Sequence, residues 1–325
     1  MARGRVVLVS ALLGVLGAGV VTAGWVGYRL WRVVRDPMGV AGGVRLVYAV
    51  DFGNAWEPGR SRAELLRRTV DCLDRRARAA NDTASVHAIG NQIEVLLPAM
   101  GRPLSVDVTK RQLSRSGRLE FRQVDDGSPA MRELVARLAN YPQPGVRSGA
   151  DQWTDRNGGV DHSDEYLIGE TRQDLETAIG RLTNSRPLAG DHELLFEQLA
   201  EGWRSYYVFR RVHMENADVL SADVMMTPGE HAEVALELAD NGRKWQALTR
   251  SAVGHKVAIV FEGQVVTAPV VIDAMNVRRI RITLGTYEED VALRRAEDLV
   301  AVLRVPALPA PVTPVREENV AARPQ

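Results

Sequence analysis

The stretch VGHKVAIVFEGQVVTAPVV, residues 253–271, contains the clearest structural signal in the chain. Val257 to Phe261 is an uninterrupted apolar run, and Val265 to Val271 is a second, mostly apolar one. Between them stands Glu262-Gly263-Gln264, a short polar segment whose glycine suits a tight turn. Two short apolar runs around a glycine-containing turn are typical of a β-hairpin, and this segment is predicted to form one.

The rest of the last third of the sequence predicts a mixture of strands and helices. Strands are predicted at Val219 to Met226, at Glu233 to Leu238 and at Arg279 to Leu284, the last because isoleucine and leucine alternate with polar residues. A stripe at Trp245, Leu248 and Ala252 predicts one helix, and a second is predicted from Glu288 to Leu303. This region is predicted to be a second α+β subdomain.

The first part of the chain has a regular order of elements. A strand is predicted at Val44 to Val50, and a helix that starts at a Ser61/Glu64 capping box runs to about Ala80. The hairpin Val86 to Leu97, a helix at Val106 to Ser114 and a strand at Leu119 to Val124 follow. Strand, helix, hairpin, helix and strand give an α+β base of the ferredoxin-like βαββαβ type.

The predicted domain boundaries follow from these elements. We expect an N-terminal anchor at 1–35, the base at 36–127, a linker and connecting segment at 128–215, the second subdomain at 216–311, which returns to the base near its end, and a disordered tail at 312–325. The linker prediction rests on residues 141–162, which are rich in Pro, Gly, Asp and Asn. The tail prediction rests on prolines at 306, 309, 311 and 314.

A hydrophobic helix is predicted near the N-terminus. The 23 residues Val6 to Tyr28 carry no charge and, at about 1.5 Å per residue, reach across a hydrocarbon core about 30 Å thick. A cleaved signal peptide ending at Val21-Thr22-Ala23 is the alternative. Trp25, Tyr28 and Trp31 form an aromatic belt that favours an uncleaved anchor. Small residues at four-residue spacing are candidates for packing against another membrane helix: Ser10, Gly14, Ala18 and Thr22.

Composition argues against several functions. The 41 basic and 41 acidic side chains cancel, so no net charge draws the chain to nucleic acid. Cys72 is the only cysteine, which excludes an intramolecular disulfide and a cysteine-based metal quartet. The clusters Asp161-His162-Ser163-Asp164 and Asp191-His192-Glu193 contain metal-ligating residue types, but both lie in predicted loops and are interpreted as solvated. No catalytic motif is present, so we expect no enzymatic activity and no cofactor.

Residues 249–311 resemble the first periplasmic domain of SecD, the accessory subunit of the bacterial Sec protein-export machinery. The resemblance rests on the stretch quoted above, on RITLG and on LRVPALPAP, and it extends upstream to a double glycine before the first strand and to the segment GRLEF. We interpret the matching positions as structural: Gly42, Gly43, Pro98, Gly117, Leu119, Glu120, Phe121, Gly254, Ala258, Ile259, Val260, Gly263, Ala268, Pro269, Gly285, Leu303, Arg304, Ala307, Leu308, Pro309 and Pro311.

Three positions depart from the family pattern. Gly39 stands where an aspartate is usual, Pro306 replaces a glycine, and Val277-Arg278 replaces a double glycine. The sequence also stops about where a second membrane helix of SecD would begin, so the family's proton-driven cycle is not expected of these residues.

The resemblance implies a role in late protein export, with one membrane helix and a body on the periplasmic side of the bacterial inner membrane. The implied partners are the Sec translocon or a full-length SecD/SecF complex, and unfolded exported polypeptide. No nucleic acid is expected, and the sequence does not indicate which surface binds polypeptide. The alternative is a diverged envelope protein that keeps the fold as a structural or regulatory interaction module.

Overall fold

The fold is described from a computed structural model. The described residues are 36–55, 59–100, 105–154, 159–184, 187–226, 232–284, 289–304 and 307–323. They divide into two compact units, one combining the chain up to Ser114 with the chain from Leu308 onward, the other comprising Arg115–Ala307. The predicted anchor, with Ser10, Gly14, Ala18 and Thr22, lies outside the described residues. None of the described helices is long and apolar enough to cross a membrane.

The first unit is an antiparallel sheet with helices packed against it. Its elements are α1 (Pro37–Ala41), β1 (Gly43–Val50), α2 (Arg62–Ala80), β2 (Ser85–Ile89), β3 (Gln92–Pro98), α3 (Val106–Ser114) and β15 (Val312–Val320). The strand order is β15-β1-β3-β2, and every neighbouring pair is antiparallel. This is the split βαβ arrangement of a ferredoxin-like fold. The predicted fold class of the base is confirmed.

Helix α2 shows how local sequence sets this unit. Ser61 accepts a hydrogen bond from the Glu64 backbone N–H at 3.2 Å, which caps the first turn. The inner stripe of α2 includes Leu73 and Ala77, both fully buried, and it packs on a sheet face that includes Leu46. Hydrophobic burial on one helix face and one sheet face therefore holds the unit together.

The last strand of the base differs from the prediction. The residues predicted as a disordered tail form β15, which pairs with β1 from Val312 opposite Val50 to Val320 opposite Gly43. The strand predicted to complete the base, Leu119–Gln123, belongs to the second unit instead. The tail prediction was wrong because proline and charge are tolerated on an edge strand, where one side needs no partner.

Over its described residues, the second unit contains two sheets, four α-helices and two short 3-10 helices. Its strands are β4 (Leu119–Gln123), β5 (Val146–Thr154), β6 (Asp161–Gly169), β7 (His192–Leu199), β8 (Gly202–Phe209), β9 (Met214–Glu215), β10 (Val219–Met226), β11 (Ala232–Leu238), β12 (Val257–Phe261), β13 (Gln264–Thr267) and β14 (Arg279–Thr283). Its helices are α4 (Pro129–Asn140), α5 (Arg172–Thr183), α6 (Arg243–Ser251) and α7 (Glu289–Leu303). One sheet has the order β5-β6-β8-β7-β13-β12-β4-β9 and the other the order β10-β11-β14.

The hairpin predicted at 257–271 is present and central. All five residues of β12 are buried, and they serve two different cores. Val257, Ile259 and Phe261 pack in one apolar cluster, whereas Ala258 and Val260 pack in another. Because both faces of β12 are covered, its sequence is apolar without alternation. The turn places Gly263 at φ +78°, a conformation that glycine adopts without a steric penalty.

The linker predicted at 128–215 is folded. Residues 141–162, predicted as a loop or linker, contribute all of β5 and the start of β6. The two strands pair along nine residues, from Val146 opposite Gly169 to Thr154 opposite Asp161. The prediction failed because β5 contains no fully buried residue and its half-buried positions include Gly149, Asp151 and Trp153, so the usual aliphatic strand pattern is missing.

Candidate functional site

A cleft of about 340 Å³ lies beside the β12–β13 hairpin in the second unit. It lies among the hairpin, helix α7, Arg115 and Gln198, with Leu284 near its floor. The apolar lining residues are Phe261, Val265, Val266, Leu284 and Leu299, and the polar ones are Arg115, Gln198, Glu262, Gln264, Arg295 and Asp298. Clefts that bind flexible ligands combine an apolar surface with a few placed polar groups in this way.

Charged side chains at the cleft are held in place by one another. Arg115 donates to Glu262 Oε2 at 3.1 Å and to Asp298 Oδ2 at 2.8 Å, and its guanidinium lies 5.4 Å from the centre of the Phe261 ring. Glu262 also accepts a hydrogen bond from the Gly117 backbone N–H at 2.9 Å. Across the cleft, Arg295 donates to Gln198 Oε1 at 3.2 Å. The cleft therefore presents a preorganised surface with charges of both signs around an apolar floor.

A second group of charges is buried elsewhere in the same unit. Lys256 Nζ lies 2.6 Å from Asp151 Oδ2 and 2.6 Å from Asp164 Oδ2. Arg204 Nη2 lies 2.7 Å and 2.8 Å from the same two oxygens. The network comprising Lys256, Arg204, Asp151 and Asp164 ties β12, β8, β5 and β6 together. Two cations are balanced by two carboxylates there, and such pairing is how buried charge is tolerated.

Aromatic rings enclose this network. The Arg204 guanidinium lies 3.6 Å from the centre of the Tyr166 ring and 4.6 Å from that of Tyr206, and Lys256 Nζ lies 4.9 Å from that of Trp153. Tyr206 donates to Glu197 Oε2 at 2.6 Å, and burial raises the pKa of the Tyr206 hydroxyl. Cations that face rings and carboxylates on several sides have little room to move, so the network is a structural clamp.

The two aspartates of the network differ in exposure and in pKa. Burial raises the pKa of Asp164, whose side chain is 5% exposed, and the nearby Lys256 and Arg204 only partly oppose that rise. Burial also acts to raise the pKa of Asp151, which is 36% exposed. Hydrogen bonds from Lys256 and Arg204 outweigh it there, so the pKa of Asp151 lies below its usual value.

The entry to β12 is fixed by another aspartate. Asp126 accepts hydrogen bonds from the Lys256 backbone N–H and from His255 Nδ1, both at 2.7 Å. Trp153 stacks on His162 with ring centres 5.5 Å apart and donates to the Gly254 carbonyl at 2.9 Å. The polar residues just before the apolar run therefore connect β12 to the β5–β6 hairpin.

The predicted family positions lie mostly in turns and cores. Gly42 and Gly43 have φ of +68° and +148°, and a Cβ at Gly43 would stand 2.2 Å from the Leu97 carbonyl oxygen. Leu119, Phe121, Ala258, Ile259 and Val260 are buried in the second unit, and Leu308 is buried in the first. Glu120 is buried and pairs with Arg118 and Arg122. Gly285 lies outside the described residues.

One of these positions, Gly263, lies in the hairpin turn between residues that line the cleft. Gly263 shapes the bend between Phe261 and Gln264, both of which line the cleft. Arg304 reaches Asp223 Oδ1 at 3.2 Å on the second sheet. Sequence reasoning found the hairpin but not the cleft, since Arg115, Gln198 and Arg295 are far from the hairpin in the chain.

The two candidate metal clusters have other roles. Asp161 and Asp164 both lie on β6, where Asp161 accepts from the Thr154 hydroxyl at 2.7 Å and Asp164 joins the buried network, so the interpretation as a solvated loop was wrong. His192 Nδ1 lies 2.7 Å from Asp191 Oδ1, and its ring stacks on Tyr207. Within the described ranges, no three His, Cys, Asp or Glu side chains are grouped so as to hold a metal ion.

Comparison with known proteins agrees with this architecture. Residues 193–310 match the family model described as SecDF, P1 head subdomain. The chain is 31% identical over 165 residues to the protein translocase subunit SecD of Magnetococcus marinus, and 25% identical over 261 residues to that of Anaeromyxobacter dehalogenans. These alignments cover 47% and 71% of this chain but only 30% and 41% of the relatives.

Solved structures show the same fold. A SecDF crystal structure in a form called super-membrane-facing matches with a TM-score of 0.53 at 20% identity, over 92% of this chain and 35% of that one. The structure titled as a membrane component SecDF that enhances protein export matches with a TM-score of 0.51 at 20% identity. That match covers 84% of this chain and 98% of that one.

A ferredoxin-like unit interrupted by a second α+β unit places the chain in the SecDF class of folds. Together with the family model and the sequence relatives, this makes the chain a SecD-like protein. It spans less than half the length of the two SecD relatives described above.

Proposed function

We propose that this chain is a membrane-anchored accessory of protein translocation that binds exported polypeptide on the extracytoplasmic side of the bacterial inner membrane. The single observation that carries the proposal is the position of the cleft. Five hairpin residues line it, inside the segment that matches the SecDF P1 head subdomain: Phe261, Glu262, Gln264, Val265 and Val266.

The chemistry of the cleft supports binding of unfolded chain. A polypeptide that leaves a translocon exposes apolar side chains, which gain free energy on entering an apolar floor such as that of Val266 and Leu299. Charges of both signs at Arg115, Arg295 and Asp298 impose no single requirement on the sequence that binds. A site of this kind suits many unrelated polypeptides.

The role is one of binding, without a chemical step or a cofactor. A binder on one side of a membrane biases diffusion of a threaded chain through its affinity for the emerged segment alone. Its partners are the Sec translocon or a SecD/SecF complex, which a single membrane helix within residues 1–35 keeps nearby.

The test is an affinity measurement on the full chain in lipid nanodiscs. The probe is a fluorescently labelled, reduced and carboxymethylated lactalbumin, which stays unfolded. Val266→Asp places a carboxylate on the cleft floor and is expected to weaken binding at least about tenfold, because the charge loses solvation when the ligand covers it. The matched control is Ile272→Asp, an exposed apolar residue of the same unit that does not line the cleft.

Equal affinity for the two variants would refute the cleft as the binding site. Failure of the unsubstituted chain to bind the probe would refute the function itself. In that case the second candidate, a diverged envelope interaction module, is favoured. The departures at Gly39, Val277-Arg278 and Pro306 support that candidate.

A further inference from the structure

The edges of the sheets differ in how they are protected. Among the described residues the three sheets have six edge strands, and each exposes backbone groups that can pair with another strand. Four of the edge strands are short or carry the prolines and charged residues that discourage pairing with another chain. β9, β2 and β14 have two, five and five residues, and β15 carries Pro314 and the charged run Arg316-Glu317-Glu318.

The two remaining edges have different chemistry. β5 spans nine residues but commits Asp151 to the buried network and exposes Arg147. β10 spans eight residues, with the sequence VLSADVMM and no proline, glycine or lysine. Its one charged residue, Asp223, accepts a hydrogen bond from Arg304. The Asp223–Arg304 pair and an irregular register between Val219 and Ser221 give β10 some protection against strand pairing. What distinguishes β10 from β5 is that it exposes large apolar side chains.

Apolar side chains project from β10 into solvent. Leu220 is 62% exposed and Met226 is 48% exposed. Natural edge strands usually carry charge or proline where they are open, because an apolar edge recruits other chains. The apolar side chains on the edge strand β10 therefore make it a candidate site for an added strand.

The strand is also held in a rigid form. β10 pairs with β11 along its length, apart from an irregularity between Val219 and Ser221. Ala222 on β10 and Val234 on β11 are buried in the apolar cluster that also contains residues of α7. A template fixed by its own core loses little conformational entropy when a partner strand is added.

We propose that the open edge of β10 binds an extended polypeptide segment as an added strand of the β10-β11-β14 sheet. The occupant follows from hydrogen-bond complementarity, because a row of alternating N–H and C=O groups is matched only by another extended backbone. Leu220 and Met226 add apolar contacts, and methionine adapts to many shapes. The proposal rests on the proposed function and adds a second, main-chain mode of recognition that is separate from the cleft.

Addition of a strand to β10 accounts physically for binding of polypeptides with unrelated sequences. Backbone hydrogen bonds are common to every polypeptide, so a strand edge binds unrelated segments as long as they are extended. Eight residues at about 3.3 Å each give an added strand of about 26 Å. The cleft then selects apolar side chains, while β10 selects an unfolded backbone.

The test uses a labelled twelve-residue peptide of alternating valine and threonine with terminal lysines. Binding to the full chain in nanodiscs is measured by fluorescence anisotropy, and protection of β10 amides is measured by hydrogen exchange. The matched control peptide carries N-methyl groups on four successive residues, which remove donors on both edges without changing the side chains. We expect binding and β10 protection with the first peptide and at least a tenfold loss with the second.

Protein variants give an independent arm. Leu220→Lys and Met226→Lys place charges on the edge at exposed positions and are expected to weaken peptide binding at least fivefold. Ile272→Lys, at an exposed position away from β10, is the matched control and is expected to have no effect. Circular dichroism checks that all three variants fold.

The outcomes separate this inference from the proposed function. Equal binding of the N-methylated peptide, or unchanged binding by both β10 variants, overturns the inference. If the unsubstituted chain still binds unfolded lactalbumin and Val266→Asp still weakens that binding at least about tenfold, the proposed function survives that result. Self-association that is lost in Leu220→Lys, in the absence of peptide binding, would assign the edge to a second copy of the chain and overturn the inference as well.

Discussion

Removing Asp164 from the buried network should destabilise the second unit strongly. Its carboxylate is the partner shared by Lys256 at 2.6 Å and Arg204 at 2.8 Å. At an effective dielectric constant of about 20, each contact is worth about 6 kcal/mol of gross Coulomb attraction. Desolvation offsets part of this, and breaking a buried pair typically costs about 3–5 kcal/mol. We expect Asp164→Ala to lower the free energy of unfolding by about that amount.

The matched control removes one positive and one negative charge from the network together. In the double variant Asp164→Leu with Lys256→Met, one cation and one carboxylate leave together, so Arg204 keeps Asp151 as its partner. Apolar replacement of a buried pair is often close to neutral, and we expect a loss of no more than about 1.5 kcal/mol.

The assay is urea unfolding of the full chain, followed by hydrogen exchange at amides of β6 and β12. For a unit of this size the slope is about 2–3 kcal/mol per molar urea, so the midpoint for Asp164→Ala should fall by about 1–2 M. A shift below about 0.3 M, or a double variant as unstable as the single one, would refute the account of the network as a clamp.

Further predictions concern the pH dependence of stability, Gly43 at the start of β1 and the last strand, β15. The pKa of Asp151 is lowered in the fold, so its contribution to stability is present above the ordinary aspartate pKa of about 3.9 and is lost as pH falls through the folded value. Urea midpoints measured between pH 6 and pH 3 should therefore fall more steeply for the unsubstituted chain than for Asp151→Asn. Gly43→Ala should cost about 2 kcal/mol or more in thermal unfolding of the first unit, because its Cβ would meet the Leu97 carbonyl oxygen, whereas exposed Gly53→Ala should be near neutral. Deletion from Val312 onward removes an edge strand, and limited proteolysis should then cleave the first unit while the second stays resistant.

The first unit is assembled from distant parts of the chain. Its fourth strand, β15, follows α3 only after the whole second unit, Arg115–Ala307. Closing so long a loop costs entropy, which is offset by the pairing of β15 with β1 and by burial of Leu308 and Val312 in the core of the first unit. The first unit therefore needs the end of the described chain in place.

Local patterns in the sequence predicted the elements that rely on apolar burial. The β12–β13 hairpin, the capped helix α2 and the alternating strand β14 each follow from a period or a cap that nearby residues define. The predicted α+β class and the ferredoxin-like base were correct for the same reason. The choice of β15 over β4 as the last strand of that base depends on pairing across the chain, which local patterns do not encode.

Local sequence patterns did not predict the network of buried charges around Lys256 and Arg204. Asp164 and Arg204 have the composition of a solvated surface, and burial becomes apparent only when Lys256 and Asp151 are brought beside them. One clue was present, since Lys256 directly precedes a fully buried strand and must either leave the core or find partners. The hairpin that forms one side of the cleft was predicted, but the cleft itself was not, because Arg115, Gln198 and helix α7 reach it from distant parts of the chain.

The measurement that tests the central claim most directly is crosslinking to a polypeptide in transit. A photoreactive benzoylphenylalanine is placed at Gln264 in the cleft and, as a control, at exposed Gln112 on α3, in membranes that hold an arrested secretory precursor. We predict an adduct between position 264 and the precursor that depends on translocation, with none from position 112. No adduct from position 264, or equal adducts from both positions, would contradict the role of the cleft in protein export.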